Sequence, residues 1–250
     1  MKKIIGTMLV CLMLFSCHKK EKERLHIAVA ANMQFAMKEL VKVFANQTGI
    51  ESELIISSSG KLTAQIKEGA PFDVFISADM KYPMELFHSG YAVEKPQTYA
   101  YGKLVLWSMS EELALSVEGL KNSAVRHVAL ANPKTAPYGV AAMEVLKNNK
   151  VEAEIREKLV YGESISQTNQ FIISSSAEIG FTAKSVVLSP QMKNKGRWVD
   201  IQEADYSPIA QGVVVIKQQN GREQEAMRFY HFLFSAEAKK VLQNYGYAVK

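Results

Sequence analysis

From Leu25 to the C-terminus the chain alternates short apolar runs with segments of helical period, a pattern that layered α/β units accommodate and few other folds do. Leu25 to Ala30 reads as a strand. Residues 34–46 read as a helix with Met37, Leu40, Val41 and Phe44 on one face and Gly49 as its stop. Strands are expected at 54–56 and 74–77, with helices over 61–68 and 83–89. A second series places strands at 104–107, 127–130, 159–160 and 179–182 and helices over 140–148 and 167–175. Residues 188–197, rich in Lys, Pro and Gly, read as a surface loop; GVVVIK at 212–217 is a strand, and helices over 223–234 and 236–245 close the chain, the last stopped at Gly246. The expectation is an α/β fold with mainly parallel strands in one or two domains. No internal repeat or low-complexity linker separates the two series, as expected if the chain crosses more than once between two lobes.

The segment before this body has a different character. Lys2 and Lys3 precede an apolar run from Ile4 to Phe15 and then Ser16, the pattern of a secretory signal peptide over 1–16. About a dozen apolar residues are too few for a stable membrane span, which needs roughly 20. Leu14-Phe15-Ser16-Cys17 resembles the lipobox of bacterial lipoproteins, which implies lipidation of Cys17 as the mature N-terminus. Residues 17–24 then form a polar tether, and the protein is expected outside the cytoplasm, periplasmic or at the cell surface, held to a membrane by its lipid. Both cysteines, Cys11 and Cys17, belong to this leader, so the body has no disulfide, no thiolate nucleophile and no cysteine zinc site. A body of this size can hold itself together by its core alone.

Composition matters here through where the charges lie. The 250 residues carry a formal charge of +5, which by itself suggests nucleic acid or an anionic membrane as partner. Four of those five charges belong to residues 1–24, leaving the body at +1 with no Lys/Arg cluster shaped like a phosphate-backbone footprint. Nucleic-acid binding is not expected. With 48% hydrophobic and 22% charged residues, the chain is not a disordered or fibrous one.

The chemistry is concentrated where strands give way to helices. The four junctions read Ala30-Ala31-Asn32; Ser57-Ser58-Ser59-Gly60; Asn132-Pro133 followed by Ala136-Pro137-Tyr138-Gly139; and Gly162-Glu163-Ser164-Ile165-Ser166. In open α/β sheets ligands bind beyond the carboxyl ends of the strands, where helix N-termini present unpaired N–H groups. Each N-terminus carries about half a positive charge, so four converging ones supply roughly +2, enough to balance a dianion without a lysine. Asn32, Ser59, Ser164 or Ser166 could each serve as a plain helix cap. What favours a site is the set, two junctions from each series, as a ligand held between two lobes requires.

Enzymatic signals are weak. Ser59-Gly60-Lys61-Leu62 has Ile55 at the first glycine position of a phosphate-binding loop and Leu62 where Ser or Thr belongs. There is no G-x-S-x-G elbow. His18, His26, His88, His127 and His231 show no paired metal-ligand spacing. No catalytic residue, cofactor or direct metal ligand is expected.

The sequence resembles the periplasmic molybdate-binding proteins, the solute receptors of bacterial molybdate/tungstate ABC importers. The resemblance runs from about Leu25 to the C-terminus. It is carried by VAANMQFAM (29–37), ISSSGKLTAQIKEGAPFDVFISAD (56–79), LANPKTAPYGVAAMEVL (130–146), GESISQTNQFI (162–172), AEIGFTAKS (177–185) and NYGY (244–247). GAPFDVFISAD together with NPxxAPYG is more specific than any single glycine motif.

The resemblance implies a type II periplasmic binding protein: two α/β lobes, residues 25–101 with 206–250 and residues 102–205, joined by a hinge of two crossing segments with the ligand cleft between them. A tetrahedral oxyanion would occupy the cleft. Carried over by position, its contacts fall on Asn32 with Ala31 beside it, on Ser59 through hydroxyl and N–H, and on Tyr138 and Ile165 through their N–H groups. Some relatives add a tyrosine hydroxyl where this chain has Ala183, so that donor is absent. Lys61 is either a rim charge or a solvated helix residue. The implied role is capture of molybdate or tungstate and delivery to a membrane permease of an ABC importer, by a monomer. The alternatives are a receptor for another tetrahedral oxyanion such as sulfate, and a surface lipoprotein that binds a protein partner.

Overall fold

The structure, a computed structural model, describes residues 24–249. The signal segment, Cys11, Cys17 and all but the last tether residue lie outside the described residues. Ten strands follow in chain order: β1 (Leu25–Ala30), β2 (Ser52–Ser57), β3 (Val74–Ser77), β4 (Gln97–Gly102), β5 (Leu104–Ser108), β6 (Val128–Ala131), β7 (Leu159–Gly162), β8 (Ile179–Ala183), β9 (Arg197–Asp200) and β10 (Ile209–Val215). The α-helices are α1 (Gln34–Thr48), α2 (Ser59–Lys67), α3 (Lys81–His88), α4 (Pro137–Asn148), α5 (Glu152–Ile155), α6 (Ile165–Ile173), α7 (Lys184–Val187), α8 (Glu223–Phe232) and α9 (Ala236–Asn244).

The strands form two five-stranded sheets, ordered β2-β1-β3-β10-β4 and β7-β6-β8-β5-β9. The chain passes between them twice, through Lys103 from β4 to β5 and through residues 201–208 from β9 to β10. Lys103 Nζ reaches Glu203 Oε1 at 2.6 Å, and Tyr206 Oη accepts the N–H of Leu104 at 3.2 Å, so the two crossings are tied to each other. Near the end of the chain, Ala248 exchanges backbone hydrogen bonds with Tyr101 just before the first crossing.

Strands β1, β3, β5, β6 and β8 are buried along nearly their whole length, which is why they appear in the sequence as unbroken apolar runs. The expectation of mainly parallel strands holds: four of the five strands in each sheet run the same way, and one strand, β10 in the first sheet and β5 in the second, runs against them. β1 runs parallel to β2 and β3, and β6 to β7 and β8, but β10 is antiparallel to β3 and β4, and β5 to β8 and β9. An apolar run buried on both faces carries no direction; here direction follows from the double crossing, which returns β10 into the first sheet from the opposite end.

Two strands have no counterpart in the sequence reading. β4 (QTYAYG) is an edge strand that opens with polar residues, and β9 (RWVD) begins inside the stretch read as a loop, pairing Val199 with Leu106 and Trp198 with Trp107. Four helices begin two or three residues earlier than their apolar period suggests, at Ser59, Lys81, Pro137 and Ile165. Three of them open at a cavity, which Ser59, Pro137, Tyr138 and Ile165 line, so their core-facing period starts only afterwards.

Candidate functional site

The C-terminal ends of β1, β2, β6 and β7 deliver the chain into four helical segments whose first turns meet. One small cavity of about 10 Å³ is lined by Ala30, Ala31 and Asn32 from the first, Ser58 and Ser59 from the second, Ala136, Pro137 and Tyr138 from the third and Ile165 from the fourth, with Ala78 at the end of β3. Ala31, Asn32, Ser59, Tyr138 and Ile165 are therefore brought together, each at most 4% exposed. No lining residue is charged. The first N–H groups of a helix have no partner within it, so each of these first turns brings backbone donors, at the positive end of a helix dipole, to the edge of the cavity.

Local sequence explains the aim of each donor. In α4, Pro137 stands at the first helical position, where its fixed φ suits the helix and its missing N–H is no loss, which makes Tyr138 N–H the first donor of that end. Gly139 follows because a Cβ there would run into the carbonyl oxygen of Ala131 at the end of β6; the helix start can approach the strand only without a side chain. In α6, Ser164 is the cap, its Oγ accepting the N–H of Gln167 at 3.4 Å, and this leaves the N–H of Ile165, a residue of the cavity lining, without a partner in its own helix. Ser59 Oγ accepts the N–H of Ala78 at 3.0 Å, which occupies a lone pair and leaves the hydroxyl hydrogen to donate.

Asn32 has a different function from a simple side-chain contact. Its Nδ2 donates to Gln211 Oε1 at 2.8 Å and to Tyr247 Oη at 3.0 Å, so both amide hydrogens are committed to protein. Its backbone carbonyl oxygen accepts from Ser185 Oγ at 2.8 Å and Tyr247 Oη at 3.1 Å. What the Asn32 residue can present to the cavity is its backbone N–H, in a loop fixed from behind by β10, α7 and the C-terminal segment. Sequence reasoning missed Gln211, Ser185 and Tyr247; Tyr247 lies within the NYGY stretch that carried the resemblance. Burial pushes the Tyr138 and Tyr247 phenols well above their ordinary range, so both stay neutral hydroxyls at any physiological pH.

Lys61 does not line the cavity. Its ammonium pairs with Glu163 Oε2 at 2.8 Å across the cleft, both side chains about half exposed. Around the same rim Gly60 N–H donates to Thr135 C=O at 2.9 Å, Tyr82 Oη to Lys134 C=O at 3.2 Å and Ser166 Oγ to Gln34 Oε1 at 3.1 Å. The lobes are closed over the cavity. A larger groove of about 300 Å³ beside it contains Asp79, Lys81 and Glu144 on a mainly apolar wall, a mixture with no match to a small dianion. Asp79 itself accepts the N–H of Tyr82 at 3.3 Å at the start of α3, and Asp73 is held by Arg222, so the carboxylates of GAPFDVFISAD serve the fold.

Two α/β lobes joined by a double crossing and shut over a cavity at the strand-to-helix junctions define a two-lobed solute-binding protein. Residues 25–248 match the family of bacterial extracellular solute-binding proteins. The molybdate-binding protein ModA of Rhodobacter capsulatus is 39% identical over 89% of this chain and 87% of its own, and that of Azotobacter vinelandii 36% identical over 95% and 94%. The solved structure of the Azotobacter vinelandii periplasmic molybdate-binding protein superposes with a TM-score of 0.85 at 32% identity, covering 91% of this chain and all of that one. The chain belongs to the bacterial extracellular solute-binding proteins and, within them, to the family of the molybdate-binding proteins ModA. Among the described residues no helix is long and apolar enough to cross a membrane.

Proposed function

We propose that this protein captures molybdate or tungstate outside the cytoplasm, closes its lobes over the ion and delivers it to the membrane permease of an ABC importer. The observation that carries the reading is the convergence of four helix N-termini, with Ala31, Asn32, Ser59, Tyr138 and Ile165, on one small cavity lined by no charged side chain. Molybdate and tungstate are fully deprotonated dianions near neutral pH, and a wall of donors satisfies all their oxygens. A protonated phosphate brings an O–H that needs an acceptor, which such a wall supplies poorly.

Titration calorimetry with molybdate, tungstate, sulfate and phosphate tests the reading. Heat with the two metal oxyanions and none with phosphate is expected. No heat with either metal oxyanion would sink it, and tighter binding of sulfate would make the protein a sulfate receptor. The export signal and lipidation of Cys17 belong to the same reading: Cys17→Ser should move the protein from the membrane fraction to the soluble one. One chain supplies the whole cavity, so the acting unit is the monomer, which sedimentation checks.

A further inference from the structure

We infer that Ser58, which no motif above singles out, is a ligand of the bound oxyanion, donating through its side-chain hydroxyl; the inference rests on the oxyanion reading of the cavity. Ser58 occupies the cap position before α2, where a serine ordinarily turns its Oγ onto the N–H groups of the first turn. Here it makes no such bond. The residue is 3% exposed, its Oγ is buried with no hydrogen-bond partner, and it lines the cavity next to Ser59. A buried hydroxyl without a partner is unfavourable, and it is retained where a group absent from the chain completes it.

The neighbouring serine sharpens the assignment. Ser59 Oγ is held by Ala78 N–H and has structural work without a ligand, whereas Ser58 Oγ has none. The α2 end would therefore present the Ser58 and Ser59 hydroxyls together with the first N–H of the helix. Two hydroxyls from adjacent residues add side-chain donors to a lining in which both amide hydrogens of Asn32 are already committed to protein.

The two serines should part company on substitution. Ser58→Ala removes a hydroxyl that bonds to nothing in the unliganded protein, so the melting temperature without ligand stays level or rises, while molybdate affinity by calorimetry falls about 10- to 100-fold. Ser58→Gly, tolerated at cap positions, is the second variant and should give the same loss. Unchanged molybdate affinity in both variants, or a fall in unliganded melting temperature that matches the affinity loss, would overturn the inference by returning Ser58 to a structural role. Wild-type protein titrated alongside separates the failures: no binding by wild type removes the oxyanion reading itself, while binding that both variants retain removes only the role of Ser58.

Discussion

Lys61 Nζ lies 2.8 Å from Glu163 Oε2, joining the start of α2 in one lobe to the residue after β7 in the other. The pair spans the rim of the cleft and exists only while the lobes are closed. Its partners are about half exposed, so water and salt screen it. Lys61→Ala and Glu163→Gln should therefore speed release of bound molybdate by no more than a few-fold, with the difference shrinking as salt rises, read by stopped flow. The Lys61 ammonium holds the Glu163 carboxyl below its usual value. A lowered pKa means the pair contributes fully above the ordinary carboxylate range and is lost as pH falls through the lowered value. Acidification below about pH 4.5 should speed release in wild type, and Glu163→Gln should lack that part of the response.

Ser59 ties β3 to α2 through the Ala78 N–H at 3.0 Å and still has a hydrogen for the ligand. Ser59→Ala leaves that N–H buried without its acceptor. A loss of about 1–3 kcal/mol is expected both in unfolding free energy and in binding of molybdate. Denaturant titration and calorimetry on the same variant check the two, and a variant as stable as wild type would show that the Ala78 bond has no energetic role.

How much of this could be read without coordinates depends on which physical signal each feature leaves. The buried strands and the longer helices were legible because burial on two faces or one leaves apolar runs and helical periods; the edge strands β4 and β9, which lack such runs, were not. The reversal of β10 was not legible either, since it has the same composition whichever way it runs. The junctions of the site were legible from Ser, Asn and Pro-Tyr-Gly at strand ends, but the use of each group was not. Asn32 looks like a donor and spends its amide on Gln211 and Tyr247, residues 179 and 215 positions away, which no local pattern announces. Ser58 looks like a cap and makes no cap bond, and Lys61 looks like a phosphate-loop lysine and pairs with Glu163.

Asp73, buried at 2% exposure, accepts the N–H of His26 at 2.7 Å, Arg222 Nε at 3.1 Å and Asn220 Nδ2 at 2.7 Å. It fastens the turn before α8 to the start of β1, at the end of the sheet away from the cavity. Arg222→Ala leaves a buried carboxylate short of its charged partner and should cost about 3–5 kcal/mol of stability. Molybdate affinity of the folded fraction should be unchanged, so a denaturant midpoint that falls while the calorimetric constant holds is the expected pair of results.

Gly102 ends β4 at the first crossing, directly under the Tyr138 side chain. A Cβ at this position would overlap Tyr138 Oη and come within 3.0 Å of Gln211 Nε2, the amide whose oxygen holds Asn32. Gly102→Ala must therefore displace the ring that follows Pro137 in the first turn of α4, and with it the N–H that faces the cavity. Overpacking of this kind costs about 1–3 kcal/mol, and the affinity for molybdate should fall with it. Tyr138→Phe removes the atom that the new methyl meets first. In the double variant stability and affinity should both recover most of the loss, a coupling that two independent defects would not show. Additive losses would mean that the methyl acts through Gln211 and the Asn32 loop instead of through Tyr138.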